Sequence, residues 1–66
     1  MPVNAEIAEA AEVMIENGFD IHPYLVKQVF NRENEKVFAA VVQIEGQIGL
    51  SIYTPNFEPS LKVVKF

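Results

Sequence analysis

Hydrophobic residues near the start of the chain return at helical intervals. Ile7, Ala11, Met14 and Gly18 follow the i, i+4, i+7, i+11 spacing of one face, Ala8 and Ile15 flank it, and Glu6, Glu9, Glu12 and Glu16 lie opposite. The spacing predicts an amphipathic helix over 5–17. Asn4 suits its N-cap, and Pro2 falls ahead of it, where proline does no harm. Asn17-Gly18 closes it, with Gly18 at C′ and Phe19 at C″, placed to touch Met14 as in a Schellman cap.

Asp20-Ile21-His22-Pro23 reads as a connector, because Pro23 holds His22 away from helical dihedrals. Beyond it the period shortens to two. Residues 24–30 (YLVKQVF) are rich in β-branched and aromatic types, with Tyr24, Val26, Gln28 and Phe30 on one strand face. A helix also fits here, since Leu25, Val26, Val29 and Phe30 match i, i+4 spacing. The strand is favoured by the polar run Asn31 to Glu35 that follows, which reads as a hairpin loop of four or five residues.

Residues 36–45 predict a central strand. Phe38, Ala40, Val42 and Ile44 point one way and Val37, Ala39 and Val41 the other, so both sides call for cover. Glu45-Gly46-Gln47 predicts a tight turn. In the next strand, 47–54, Ile48, Leu50 and Ile52 are expected to be buried, and Gln47, Gly49, Ser51 and Tyr53 to face outward. Pro55 and Pro59 make 54–59 a loop. Residues 61–66 (LKVVKF) predict a short edge strand, where Lys62 and Lys65 discourage further pairing. The elements define a single small α+β domain over 1–66: an N-terminal amphipathic helix packed on a three- or four-stranded antiparallel sheet, in α-β-β-β-β order. One helix covers only one side of such a sheet. The other side then needs a second copy or a partner, and a homodimer is expected.

Charge sharpens this picture. The net charge is −4, yet the first 20 residues hold five acids and no Lys or Arg, while the rest is nearly balanced. An acidic helix in front of a near-neutral body presents one charged pole, most simply to a basic partner surface. With no cysteine, neither a disulfide nor a thiolate-bound metal supports the fold. That composition, the lack of a basic leader segment and the short apolar run from Val37 to Val42, against the about 20 residues needed to span a bilayer, lead to the expectation of a cytoplasmic protein away from membranes.

No residue set calls for chemistry. His22 has Asp20 two residues away but no nucleophile beside it, and reads as a turn histidine. Glu12 and Glu16 could reach one cation from the helix, but one histidine and no cysteine make a zinc site implausible, and a solvated helix face explains both. Gly18, Gly46 and Gly49 form no phosphate-binding motif, so no cofactor is expected. Two features suggest contact with a partner. Val13 falls among Glu9, Glu12 and Glu16 as an apolar residue ringed by charge. The stiff segment from Tyr53 to Pro59 carries Tyr53 and Phe57, with burial of Phe57 against the core edge the more ordinary outcome.

The sequence therefore leads to a small, non-enzymatic protein-binding module: an inhibitor, adaptor or accessory subunit using its acidic helix face and apolar sheet surface. Its size and acidity match virus-type inhibitors of host enzymes, an analogy of bulk properties alone. The alternative is a nucleic-acid-binding domain that uses the sheet, with Phe30, Phe38, Phe57 and Phe66 available for stacking and Lys27, Lys62 and Lys65 for phosphates. Nine acids against five bases weigh against it.

Overall fold

The helix α1 (Ala5–Glu16) begins and ends on the residues that its sequence marks. The Ile7 N–H donates to Asn4 Oδ1 at 2.8 Å, satisfying one of the free donors of the first turn. At the other end the Phe19 N–H donates to Met14 O and the Gly18 N–H to Ile15 O, the two bonds of a Schellman motif. Asn4→Ala is expected to cost about 1 kcal/mol, read as a fall in urea midpoint with unchanged slope. A midpoint that did not move would show that the cap is redundant. The computed structural model describes residues 4–66, so the expected place of Pro2 lies outside the described residues.

Four strands follow, β1 (Lys27–Phe30), β2 (Lys36–Ile44), β3 (Gln47–Thr54) and β4 (Ser60–Lys65), all antiparallel and in the order β1-β2-β3-β4. The α+β architecture expected from the sequence is thus present with four strands. The first strand is shorter than 24–30. Pro23–Leu25 forms a 3-10 turn, with His22 extended ahead of it and the His22 Nδ1 accepting the Tyr24 N–H. The Val26 N–H then returns to Pro23 O, so pairing cannot start before Lys27. The loop 31–35 is organised by Asn31, whose Oδ1 accepts from the Glu33 and Glu35 N–H groups. Between β2 and β3, Glu45 (φ 51) and Gly46 (φ 81) form the two-residue connection, both at positive φ as a type I′ hairpin requires. The final strand begins one residue earlier than expected, with Ser60 paired to Thr54.

The core lies between α1 and one face of the sheet. Ala10, Ala11 and Met14 of the helix meet Phe38, Ala40, Val42 and Tyr53 of the sheet, with Ile21 and Val26 of the connector closing one side. Two expectations about the helix fail. Ile15 is exposed, while Val13 is half-buried and packs against the core. The helix is therefore rolled toward the Val13 and Ala10 flank rather than the Ala8 and Ile15 flank.

A larger reversal concerns β3. Phe38 pairs with Tyr53, Ala40 with Ser51 and Val42 with Gly49, so the helix lies over the small and polar side of β3. Ile48, Leu50 and Ile52, expected to be buried, face away from it. The reason is space. Of the strands α1 lies closest to β3, and Gly49 and Ser51 provide the low surface that a close helix needs, matched by Ala10 and Ala11 above. A Cβ at Gly49 would stand 2.9 Å from the Val64 carbonyl oxygen. Ser51 is fully buried, and its hydroxyl finds no hydrogen-bond partner among the described residues. An orphaned hydroxyl costs about 1–3 kcal/mol, so Ser51→Ala is expected to raise stability by about 1 kcal/mol in urea titration. A clear loss would mean that the hydroxyl is satisfied by a buried water.

Candidate functional site

The register places a second apolar surface on the side of the sheet away from α1. Reading across the strands, Val29 pairs with Val37; Lys27 with Ala39, Ala39 with Ile52, and Ile52 with Lys62; Val41 with Leu50, and Leu50 with Val64; Gln43 with Ile48. Because paired residues share a face, these side chains form one open, mainly aliphatic surface. Its middle is not covered: Val41 is 60% and Ile48 54% exposed, Val29 and Val64 are exposed, and Leu50 and Ile52 are half-buried. Only Val37 is buried there, under a shallow depression lined by Val29, Ile52, Thr54 and Lys62. The two-sided apolar pattern of β2 is thus real, but the described residues cover only one side.

Charge divides between the two layers. The helix carries Glu6, Glu9, Glu12 and Glu16 and no base, whereas the four strands carry Lys27, Lys36, Lys62 and Lys65 and no acid. Lys36 and Lys65 share the covered face, and each meets a carboxylate: Lys36 Nζ lies 3.2 Å from Glu6 Oε1, and Lys65 Nζ 3.8 Å from Glu45 Oε2. Lys27 and Lys62 belong to the open face, and neither has an ion-pair partner among the described residues. They end one row of the sheet, at its two opposite edges.

The residues singled out from the sequence are not gathered in one place. Glu9, Glu12 and Glu16 are exposed on the outer side of α1, pointing away from the sheet. Val13 beside them is held by the core, and Tyr53 is buried opposite Phe38. Phe57 is fully exposed rather than folded back on the core edge. Its loop is tied to the first hairpin loop by Glu35, which accepts from Asn31 Nδ2 on one oxygen and from Asn56 Nδ2 on the other. The open-face residues Val41, Ile48, Leu50 and Ile52 are legible as apolar in the sequence, but alternation alone does not say which side of β3 the helix covers.

Little supports chemistry at other points. His22 is exposed and engaged locally, its ring stacked on Tyr24 with centroids 4.9 Å apart. Among the described residues no group of three or more His, Asp or Glu comes together as a metal site, and no helix is long and apolar enough to cross a membrane. The patch imagined for nucleic acid is dispersed. Lys65 faces the other way from Lys27 and Lys62, Phe38 is fully buried, and Phe30 and Phe57 lie at the opposite end of the sheet from Phe66. Comparison of the chain with protein-family profiles, with curated proteins and with solved structures finds no match.

Proposed function

We propose that this chain is a small non-enzymatic protein-binding module whose contact surface is the open face of the sheet. One observation supports the reading above the others: an aliphatic surface around Val41, Ile48 and Leu50 is open to solvent although its residue types are those of a core. Contiguous exposed apolar surface on a small domain marks an interaction site. An inhibitor, adaptor or accessory subunit needs only such a surface and a stable scaffold. A homodimer is the weaker form of this reading. Two copies stacked with their strands aligned would bring Lys27 and Lys62 of one toward the same lysines of the other. The acidic side of α1 is the opposite pole and fits a basic surface instead.

Two variants separate the poles in a capture experiment. Val41→Glu places a charge in the middle of the open face at an exposed position, so the fold should persist while the captured partner is lost. Replacing Glu9, Glu12 and Glu16 together by Gln should keep that partner and stabilise the helix by a few tenths of a kcal/mol per relieved like-charge pair. The reverse pattern, loss with the Gln variant and retention with Val41→Glu, would assign the contact to the helix and overturn the proposal.

A further inference from the structure

We propose that the open face receives an amphipathic helix from a partner protein, one whose apolar stripe is bordered on both sides by carboxylates. This rests on the reading of that face as the contact surface and names what occupies it. The covered face supplies the template. There the sheet already holds a glutamate-bearing helix, packed over small residues, with Glu6 of that helix reaching Lys36 of the sheet. The open face repeats these ingredients without the helix: exposed aliphatic side chains, the small Ala39 at its middle, and two lysines with no ion-pair partner among the described residues.

The spacing of those lysines matches a helix. Lys27, Ala39, Ile52 and Lys62 form one row across the four strands. At about 4.8 Å per strand, the two lysines stand roughly 14 Å apart at Cα. A helix with its side chains is about 10–12 Å across, so one lying along β2 and β3 fits between them. Its apolar stripe would rest on Ala39, Val41, Leu50 and Ile52, and acids on its two flanks would meet Lys27 on one side and Lys62 on the other. Glu9, Glu12 and Glu16 point away on the far layer, Glu6 being held by Lys36 on the covered face. Separated from the open face by the sheet and the helix itself, they lie beyond the about 8 Å Debye length of physiological salt and do not oppose such a partner. A second copy stacked through its own open face brings lysines where carboxylates are needed. A nucleic acid would find phosphate contacts at the two lysines but no aromatic surface between them on which to stack.

The test uses the full chain with methyl-labelled Val, Leu and Ile, observed by NMR. The probes are two designed helical peptides of about 18 residues, long enough to hold a helix, sharing one Leu/Ala stripe. One is bordered by glutamates and the other by lysines. The glutamate peptide is expected to move the Val41, Leu50 and Ile52 methyl signals and to bind about tenfold more tightly than the lysine peptide. The double variant Lys27→Glu/Lys62→Glu, at two exposed positions outside the core, should reverse that order. Equal binding of both peptides at these methyls would overturn the inference and leave the open face as the contact surface. So would methyl signals that shift with protein concentration alone, which would make a second copy the occupant. Silence toward both peptides, or tighter binding of a mixed-sequence single-stranded oligonucleotide, would overturn the inference and the underlying reading together.

Discussion

Phe38→Ala is expected to remove a large share of the protein's stability at 25 °C. Phe38 and Met14 are the largest fully buried side chains, and Phe38 sits on the central strand β2, opposite Tyr53 and beneath the helix. Truncating a buried phenylalanine costs about 3–5 kcal/mol through lost transfer energy and the cavity left behind. A domain of this length has roughly 3–10 kcal/mol of stability in total. The loss therefore consumes a large share of it, with no disulfide to hold the chain together. Urea titration of the two proteins gives the comparison. A variant that kept its midpoint would mean that the core is not organised around Phe38.

Gly49→Val is expected to destabilise as well, against the local rule. Valine favours strands, and replacing a strand glycine normally gains about 0.5–1 kcal/mol. Here the first added carbon would lie 2.7 Å from Ile44 Cδ1 and 2.9 Å from the Val64 carbonyl oxygen. The isoleucine tip can turn away, but the carbonyl belongs to the neighbouring strand at the Gly49–Lys65 pair and cannot retreat without loosening β4. Overpacking of this kind costs about 1–3 kcal/mol. In a small domain each kcal/mol lowers Tm by about 4–8 °C. A higher Tm for Gly49→Val would show that β4 yields at Val64 without loss of pairing.

What could be read directly from residues was what neighbouring residues decide. Asn4, Asn17-Gly18 and Glu45-Gly46 act through hydrogen bonds or dihedrals within a few positions, and the helix ends and the central hairpin follow from them. The start of β1 was less legible, because Tyr24 and Leu25 look strand-like in isolation while His22 and Pro23 draw them into a turn. The side of β3 that takes the helix was not legible from alternation. Alternation separates two faces, but which one is covered depends on how near the helix comes, and proximity selects Gly49 and Ser51 over Ile48 and Leu50. For the same reason Val13 looked like a surface anchor and is a core flank. The lysines of the open face were visible as residues. That they end a single row became apparent only once the strand register was set.

Strand order equal to chain order also shapes how the protein reaches this state. Each pairing in the sheet joins segments separated by a short connection: 31–35, the Glu45-Gly46 turn and 55–59. Closing such loops loses little chain entropy, and formation of one hairpin takes on the order of microseconds. The long hairpin of β2 and β3, joined by its two-residue turn, is the natural first structure, with β1 and β4 adding at its two sides. The helix must then find a face that β2 and β3 already present, across the longer connector 17–26. A sheet formed before the helix docked would be apolar on both sides. The finished protein retains one of those sides: among the described residues, the open face is apolar surface that folding of the chain does not cover.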